Sequence, residues 1–411
     1  MNKAYIFCCC LLLSNFVIAG IHYIEPGEDI QERLQEAMIL SKPGDTIQLK
    51  EGLYELTDGL SLAQSGVSIK GAGIDKTILD FTHQLSGAQG LLVTSDAVVL
   101  KDFSVINAKG DAIKVIGVDG IFIVNVKVEW TNGPATENGA YGLYPVQSKN
   151  VYIDGCIAIG ASDAGIYVGQ SENIIVKNNI AEYNVAGIEI ENSYYADVHE
   201  NSVSKNTGGI LIFDLPDLPQ QDGHHIRIFD NQISNNNTDN FAPLGNIVAS
   251  VPRGTGILVM AGSDIEIFDN TVHKNDTINL AIVSYFQETD DENYHPHPRS
   301  IYIHDNKFSI SGSNPDSERN ELARILESFS GDDMPDIFWD GVIPLSQIIF
   351  GQPEKEKIAL GENPGASFMT IDPLKYLLPF TDPLNSNYDD FMTHRSSLRK
   401  IVIDIPFERL D

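Results

Sequence analysis

Gly165-Ile166-Tyr167-Val168 recurs as Gly187-Ile188-Glu189-Ile190 and again as Gly209-Ile210-Leu211-Ile212, each copy 22 residues after the last. A fourth copy, Gly256-Ile257-Leu258-Val259, follows a longer interval, and Gly142-Leu143-Tyr144-Pro145 precedes the set by 23 residues. A unit of this length holds only short strands and turns, so it buries its apolar face only by stacking on its neighbours. The repeat therefore predicts a solenoid.

A second phase of the repeat consists of alternating apolar strands that end in asparagine, at residues 173–179, 196–201, 226–231, 265–270 and 301–306. Alternation indicates strands with one buried face. Asparagine tolerates left-handed turns, and its amide can stack on the equivalent asparagine one coil away. We therefore predict that Asn179 and Asn201 align at a turn. We also predict that Ile166, Ile188 and Ile210 form one buried column.

The 22-residue period and the composition of the repeat distinguish between the known classes of repeat protein. Leucine-rich repeats need helical segments and recurrent leucines, and a propeller blade needs about 40 residues. The predicted fold class is all-β, a single-stranded right-handed parallel β-helix over residues 20–310. It has an N-terminal capping helix and a less regular C-terminal segment.

The ends of a solenoid need covers. Asp29 and Glu32 resemble a capping box opening an amphipathic helix, with Ile30, Leu34, Ala37 and Met38 on one face. The repeat fades after Ile310, and residues 321–329 predict a second helix. We expect residues 311–411 to fold back on the solenoid as a cap or flank.

The first nineteen residues have the pattern of a signal peptide. Asn2 and Lys3 give a polar, positive start, residues 4–17 form an apolar run, and Ala19 is a small residue at the expected cleavage site. The run is shorter than the about 20 residues of a membrane span. We therefore expect an exported protein, periplasmic or extracellular, without membrane insertion.

Three of the four cysteines, Cys8, Cys9 and Cys10, lie in this leader. An alternative is a lipoprotein anchored through one of them, although the small residues that normally precede a lipidated cysteine are missing. Cys156 is then alone, so we expect no intramolecular disulfide despite the oxidising destination.

The net charge of −30 restricts the partners. Loss of Lys3 with the leader leaves 26 basic residues against 57 acidic ones, or −31. Such a surface repels nucleic acid and anionic membrane. The net negative charge also disfavours the binding of acidic glycans, unless calcium or a local basic patch offsets the repulsion. We expect no nucleic-acid partner, and the sequence names no protein partner.

Three segments resemble a bacterial family of exported proteins built from parallel β-helix repeats: residues 139–147, 184–192 and 246–252. The N-terminal region is similar to the cap of pectin-lyase-like proteins. The resemblance implies the fold and export, and carries no established activity.

A looser similarity is to mannuronan epimerases, whose signature places an Asp-Pro-His-Asp run after a tyrosine and glycine. In residues 141–147, Tyr144 replaces the first aspartate, Val146 the histidine and Gln147 the last aspartate. The residues that carry the epimerase chemistry are therefore absent.

Strand alternation predicts which side chains face outward on the sheet of the Gly-Ile repeat. If Ile166 and Val168 point inward, Tyr167 and Gly169 point outward. Applied to every coil, this gives an outer column of Lys114, Tyr144, Tyr167, Glu189, Leu211 and Leu258. A neighbouring column holds Val146, Gly169, Glu191, Phe213 and Met260. Successive members are expected about 4.8 Å apart.

Long insertions adjoin strands of this same sheet, at residues 131–140, 214–225, 235–255 and 286–299. Insertions concentrated on one face of a solenoid often border a binding face. We therefore predict an open groove whose floor is the two outer columns. The alternative is that the tyrosines and the leucine–phenylalanine patch seat the C-terminal segment.

The predicted floor suits a polysaccharide or other glycan. Tyr144 and Tyr167 are candidates for stacking on sugar rings, and Glu191 and Arg253 for binding hydroxyl or uronate groups. The candidate catalytic residues are Glu189, Asp163 and Lys114.

The reaction type stays open. Hydrolysis needs two carboxyls about 5–9 Å apart, and elimination needs a cation and a base. The protein is then a lyase, epimerase or glycoside hydrolase, or a non-catalytic module that binds a glycan or protein.

Metal binding is a further question. Glu189 and Glu191 leave one strand on the same side, about 6.5 Å apart, and are either a Ca²⁺ site or two solvated carboxylates. His224-His225 and His295-Pro296-His297 lack the cysteine or carboxylate spacing that completes a zinc site. We assign no metal ligand.

Overall fold

The computed structural model describes residues 19–331, 333–348, 351–376 and 380–410. Apart from Ala19, the predicted signal peptide, including Cys8, Cys9 and Cys10, lies outside the described residues. Among the described residues, no helix combines the length and apolar content needed to cross a bilayer.

The chain winds into coils with three sheet faces. The first face is a 12-stranded sheet, parallel throughout except at its final pair. Its strands are Leu60–Leu62, Gln89–Val93, Asp111–Ile116, Tyr141–Val146, Ala164–Gly169, Ala186–Glu191, Gly208–Phe213, Thr255–Met260, Ile278–Val283, Ile337–Trp339, Phe368–Ile371 and Leu384–Asn385. This face carries the Gly-Ile repeat.

The second and third faces belong to one 20-stranded parallel sheet. The second face contains Ile21–Ile24, Thr46–Leu49, Ser68–Lys70, Val98–Ile106, Asp119–Glu129, Lys149–Asp154, Glu172–Lys177, Tyr194–His199, His224–Phe229, Ser263–Phe268, Arg299–His304 and Ile358–Leu360. The third face contains Gly52–Glu55, Thr77–Asp80, Ile157–Ile159, Ile180–Glu182, Ser202–Ser204, Gln232–Ser234, Thr271–Asn275 and Lys307–Ser311. Val98–Ile106 and Asp119–Glu129 are long enough to join the two faces. The predicted parallel β-helix is confirmed.

The interior is a continuous apolar core made by strand alternation. Ile166, Ile188 and Ile210 pair in register on successive strands of the first face and are fully buried. The predicted buried column is therefore confirmed. Cys156 is also buried in this core as a free thiol.

Asparagines form a buried ladder at one corner of the stack. The Asn179 amide nitrogen donates to the Asn201 oxygen at 3.0 Å, and Asn201 donates to Asn231 at 2.9 Å. The same bond continues through Asn270, Asn306 and Asn363. The predicted alignment is confirmed, but the prediction that the ladder asparagines themselves adopt the left-handed conformation is wrong. The left-handed residue is the one before each ladder asparagine from Asn179 to Asn306, such as Asn178 with φ 53°.

A second ladder, at another corner, was not predicted. Asn184 donates to Asn206 at 3.0 Å, Asn206 to Asn236 at 3.0 Å and Asn236 to Asn275 at 3.2 Å. Each amide oxygen also accepts a backbone N–H of the preceding coil, as Asn206 does from Asn184. The ladders thus satisfy buried backbone groups where the chain leaves a strand.

The N-terminal helix covers the first coil as predicted. It spans Ile30–Leu40 and buries Ile30, Leu34 and Met38. The predicted capping box is wrong. Asp29 occupies the N-cap position in a left-handed conformation, φ 54°, and its side chain makes no capping hydrogen bond.

The stack continues beyond residue 310, where the readable repeat ends. Ile337–Trp339 and Phe368–Ile371 extend the first face, and Ile358–Leu360 extends the second. Three further helices are Glu321–Ser330, Pro373–Tyr376 and Phe407–Leu410. Glu321–Ser330 confirms the predicted second helix, and Asn320 caps it by accepting the Ala323 N–H.

The last residues form a strap along the second face. This C-terminal strap consists of residues 395–406, which have no regular secondary structure, and the helix Phe407–Leu410. It follows a column of outward side chains that pair in register: Ser68, Val99, Phe122, Tyr152, Ile175, Asp197, Arg227, Glu266 and Tyr302. Ile401 and Ile403 pack on the apolar members of that column. The Leu398 N–H donates to Glu266, and the Ile401 N–H to Asp197. The strap therefore runs across the coils rather than along them.

The ladder predicts a mutational effect on stability. Asn231→Ala removes a buried amide that donates to Asn270 and accepts from Asn201. It leaves partners on both sides unsatisfied, so we expect a loss of about 2–4 kcal/mol in the free energy of unfolding. Chemical denaturation measures it, with the exposed Asn293→Ala as the control. Equal stability of the two variants would contradict a structural role for the ladder.

Candidate functional site

The predicted outer column is present on the first face. Lys114 pairs in register with Tyr144, and Tyr167 with Glu189 and then Leu211. The neighbouring column also holds, because Val146 pairs with Gly169 and Gly169 with Glu191. Strand alternation therefore placed these side chains on the correct side of the sheet.

The predicted open groove is wrong, because the columns are covered. Glu189 is 1% exposed, Asp163 and Tyr167 are 3% exposed, and Glu191 is 8% exposed. The insertion at residues 235–254 lies over them, and its Asn246 amide donates to the Asp163 carboxylate at 2.9 Å. A side chain that faces away from the β-helix interior is therefore still buried here.

The far half of the predicted floor is an apolar interface. Leu211 and Leu258 pack in one cluster with Val248 and Val251 of the insertion and Leu326 of the helix Glu321–Ser330. Met260 and Phe213 belong to the same cluster. Here the alternative holds, because the leucine–phenylalanine patch seats the insertion and a C-terminal helix.

Arg253 is not part of this site. Its guanidinium lies 3.5 Å from the Asp239 and Asp276 carboxylates and 3.9 Å from that of Asp316. It also donates to the Asn314 carbonyl oxygen. The carboxylates of Asp239, Asp276 and Asp316 therefore hold the Arg253 guanidinium. No described contact joins Arg253 to the column of Tyr144, Tyr167 and Glu189, and its role in substrate binding stays a prediction.

Three tyrosines pack together at the partly exposed end of the column. The ring centroids of Tyr141 and Tyr144 lie 4.3 Å apart, and Tyr167 lies 4.7 Å from Tyr141 and 5.0 Å from Tyr144. The Lys114 ammonium lies 4.6 Å from the centre of the Tyr144 ring. These four residues form the tyrosine rim.

Sequence reasoning did not select Tyr141, although a signal existed. Tyr141 pairs with Ala164, which pairs with Ala186 and then Gly208. Small residues at the same position of three successive strands leave space for a large ring.

Three carboxyls lie behind the rim, and they differ in their hydrogen bonds. Glu191 accepts from the Tyr167 hydroxyl at 2.6 Å, and Asp163 accepts from Asn246. The Glu189 Oε2 atom is buried without a hydrogen-bond partner among the described residues. We call Asp163, Glu189 and Glu191 the acid cluster.

Burial and mutual repulsion keep protons on the acid cluster. Burial, followed by the charges of Asp163 and Glu191, raises the pKa of Glu189 well above its usual range. Burial also raises the pKa of Asp163 to about 7, opposed by the hydrogen bond from Asn246. The pKa of Glu191 is raised by burial and lowered by Tyr167. Burial and the neighbouring carboxyls therefore favour the protonated form of Glu189.

Asp111 is a fourth carboxyl that sequence reasoning missed. Burial raises its pKa to about 6, against the charge of Lys114. Its carboxylate lies 3.9 Å from the Lys114 ammonium. Lys114 thus has an acidic neighbour as well as the Tyr144 ring, and the rim is not strongly cationic.

Gly169 is required by the packing of the site. A Cβ atom at this position would lie 2.1 Å from the Tyr167 hydroxyl oxygen. The tyrosine side chain therefore passes over Gly169 to reach Glu191 on the next strand. Any larger residue would displace that hydrogen bond.

The described residues contain no group of three histidine, cysteine, aspartate or glutamate side chains placed to hold a metal ion. His224 instead stacks on Tyr194 with ring centroids 4.5 Å apart. The His297 Nδ1 atom lies 3.2 Å from the Ser284 hydroxyl oxygen. The geometry of these residues gives no support for the calcium site considered for Glu189 and Glu191.

Comparisons with known proteins concern the fold. A family described as "Right handed beta helix region" matches residues 63–217, in agreement with the predicted right hand. No curated protein matches the sequence.

Several solved structures are similar at low identity. The A-module of the Azotobacter vinelandii mannuronan C-5 epimerase AlgE4 is 16% identical, with 82% of this chain and 92% of that chain covered and a TM-score of 0.49. The polygalacturonase of Erwinia carotovora is 8% identical, with 72% and 94% covered and a TM-score of 0.41. An alginate lyase of Paenibacillus sp. is 15% identical, with 71% and 96% covered and a TM-score of 0.38. These likenesses describe the β-helix and do not assign an activity.

The raised pKa of Asp163 predicts how stability depends on pH. The folded protein keeps a proton on Asp163 up to about pH 7, whereas the unfolded chain releases it near 3.8. This contribution to stability is full below the unfolded value and is lost as pH rises through the folded value. The free energy of unfolding should therefore decrease less between pH 4 and 8 in Asp163→Asn than in the parent protein, by up to about 4 kcal/mol.

Denaturation curves across this pH range measure the effect, with the exposed Asp75→Asn as the control. An unchanged slope in Asp163→Asn would show that Asp163 is ionised in the folded protein at low pH.

Proposed function

We propose that this chain is an exported carbohydrate-binding protein that holds a glycan at the tyrosine rim and uses Glu189 as a proton donor toward it. Residues 1–19 act in this proposal as the export signal, and the protein works in the periplasm or outside the cell. The ligand class is a polysaccharide or oligosaccharide, and the reaction class is glycoside hydrolysis.

The unpartnered Glu189 carboxyl is the observation that carries the proposal. A buried polar group without a hydrogen-bond partner lowers the stability of the folded protein by about 1–3 kcal/mol. Glu189 Oε2 is such a group. Groups of this kind persist where function requires them. A glycosidic or hydroxyl oxygen of a bound sugar is a suitable partner, because a protonated carboxyl donates one hydrogen bond.

The tyrosine rim supplies the surface that a sugar needs. Tyr141 and Tyr144 are partly exposed, whereas Tyr167 lies behind them. Aromatic rings contact the apolar faces of pyranoses, and their hydroxyls serve as hydrogen-bond donors and acceptors. Of the two predicted sugar contacts, Tyr144 is therefore kept in this proposal, and Tyr141 replaces Tyr167.

Charge favours a neutral glycan. The whole chain carries a net charge of −30. Lys114 is the cation at the rim, and Asp111 lies beside it. A polyuronate would meet more repulsion than attraction at this place.

The geometry favours hydrolysis over elimination. Hydrolysis uses one carboxyl as the acid and a second as the base or nucleophile, and Asp163 is the charged group that acts most strongly on Glu189. Burial favours the protonated form of Glu189, as a general acid requires, and Asp163, whose pKa burial raises to about 7, is the candidate base. Elimination from a uronate would need a cation free to neutralise its carboxylate, and Lys114 lies beside Asp111.

A non-catalytic glycan- or protein-binding module is the second candidate. The cover formed by residues 235–254 supports it, because Glu189 is 1% exposed and a glycosidic bond must reach that carboxyl for hydrolysis. In this case the tyrosine rim binds the ligand, and the acid cluster has a structural role.

An assay on three variants separates the two candidates. The parent protein, Glu189→Gln, Tyr144→Ala and the exposed helix variant Glu327→Gln are incubated with a panel of neutral and acidic polysaccharides. Reducing-end release reports hydrolysis, absorbance of unsaturated products reports elimination, and affinity electrophoresis reports binding.

We expect Glu189→Gln to lower hydrolysis at least about 100-fold, as loss of a general acid does, with binding retained. Tyr144→Ala should weaken binding about fivefold through loss of ring contact. Glu327→Gln should match the parent.

Binding that Tyr144→Ala weakens, with no product from any variant, favours the non-catalytic module. Absence of binding and product for every glycan overturns both the hydrolase and the glycan-binding module. Product from an acidic glycan, equal in Glu189→Gln and the parent, overturns the role of Glu189.

A further inference from the structure

The first residue of the expected mature chain, Gly20, lies beside a covered carboxylate. The Gly20 backbone N–H donates to Asp45 Oδ1 at 2.7 Å. The other oxygen, Asp45 Oδ2, accepts the Lys42 N–H at 2.9 Å and lies 2.9 Å from the His22 Nε2 atom. Asp45 is 5% exposed. The carboxylate is therefore held at the point where cleavage after Ala19 would leave the new end of the chain.

Strand pairing fixes the position of Gly20. The Thr46 N–H donates to the Gly20 carbonyl oxygen at 2.8 Å, and the next residue, Ile21, pairs in register with Thr46. A Cβ atom at residue 20 would lie 3.1 Å from Asp45 Oδ1, a closer approach than such atoms usually make. These bonds need no residue before Gly20, so loss of the leader leaves its nitrogen beside Asp45.

Asp45 has no lysine or arginine side chain as an ion-pair partner within the described part of the chain. Its ion-pair contact is with His22, and a histidine is charged only in part near neutral pH. The hydrogen bond to His22 lowers the pKa of Asp45 to about 2, against burial, and the N–H groups of Lys42 and Gly20 add to the effect. Asp45 is therefore ionised, and a covered carboxylate is most stable beside a full positive charge.

We propose that cleavage between Ala19 and Gly20 creates a structural ion pair, in which the α-ammonium group of Gly20 binds the Asp45 carboxylate. Hydrolysis of the Ala19–Gly20 amide bond consumes one water, leaves a carboxylate on the released leader and gives Gly20 a free amine. That amine is protonated near neutral pH. It takes the position of the peptide N–H that donates to Asp45 Oδ1, and it adds a positive charge there.

This inference rests on the export signal of the proposed function and is independent of the tyrosine rim. Two segments meet around the new amine, residues 19–22 and 41–46, and their ionisable side chains are His22, Lys42 and Asp45. Asp45 favours the ammonium charge, whereas a positive charge on His22 or Lys42 opposes it. A chain cut one residue away carries its charge outside this arrangement, so the stability of the mature protein is linked to correct processing.

Processing is tested on the full chain, expressed with its leader in a bacterial host. The intact mass of the protein in the periplasmic fraction identifies its first residue, and we expect Gly20. Retention of the leader would contradict the export signal of the proposed function as well. Export with a different first residue would overturn this inference alone.

The ion pair is tested by the reactivity of the new amine. Two mature forms are compared, one beginning at Gly20 and a matched control beginning at Ala19, which carries its amine one residue away. Acetylation by the N-hydroxysuccinimide ester of acetic acid at pH 7 is followed by mass spectrometry of the N-terminal peptide. Asp45→Asn keeps the size of the side chain and removes its charge, and the exposed Glu28→Gln is the control substitution.

We expect the Gly20 form to react at least about tenfold more slowly than the Ala19 form. The ion pair raises the pKa of the amine, only the unprotonated amine reacts, and one pKa unit changes its fraction about tenfold. Asp45→Asn should bring the Gly20 form to the rate of the Ala19 form, and Glu28→Gln should leave it slow.

Thermal unfolding gives a second measurement. The Tm of the Gly20 form should exceed that of the Ala19 form at pH 7. The difference should shrink as pH rises from about 8 to about 10, because stabilisation by a group with a raised pKa is full below its unfolded value, about 8 here, and is lost through the higher folded value.

Equal reaction rates of the two forms, or an unchanged rate in a folded Asp45→Asn variant, would overturn the ion pair. The comparison of the two forms needs no substitution, so it decides the question even if Asp45→Asn does not fold. A chain that is processed at Gly20 and reacts as fast as the Ala19 form contradicts this inference and leaves the proposed function intact.

Discussion

Backbone hydrogen bonds between parallel strands hold each coil of this protein in register with the next, and the rest of the structure depends on that register. Because successive strands lie about 4.8 Å apart, any side chain has its counterpart of the next coil directly beside it. An apolar residue therefore extends a buried column, and an asparagine extends a ladder of amide hydrogen bonds. The same rule makes Tyr167 and Glu189 neighbours. The in-register stacking of the coils thus forms both the apolar core and the outward columns of the candidate site.

The parts of the structure that obey the repeat were predictable, and the parts that interrupt it were not. Alternation and the 22-residue period predicted the fold, the Ile166 column and the outward position of Glu189. They could not predict burial of Glu189, because alternation tells which side of a sheet a residue faces and not what packs there. The cover comes from residues 235–254, which have no period to read. The surroundings of Arg253 escaped prediction for a related reason, since two of its carboxylate partners, Asp276 and Asp316, lie outside the insertion that carries it.

The acid cluster is a local conflict in an otherwise self-consistent structure. Nearly every level of the chain agrees with the fold, as expected of a sequence that specifies one structure. Asp163, Glu189 and Glu191 break the pattern, because three carboxyls share a space that water hardly reaches. A rigid stack holds them there, since the strands that carry them are bonded on both edges. Departures of this kind concentrate at functional sites, where stability is given up for chemistry.

The C-terminal strap has a consequence for how this protein can change its length. Between the bonds of Leu398 to Glu266 and Ile401 to Asp197, the strap advances three residues while the stack advances two coils. Three extended residues span about 10 Å, and two strand spacings span about the same. The length of the strap therefore matches the length of the stack over this interval. Duplication of a coil between Asp197 and Glu266 would move these two carboxylates about 4.8 Å further apart. The strap could then keep both bonds only if residues were added between Leu398 and Ile401, so the number of coils and the length of the tail are linked.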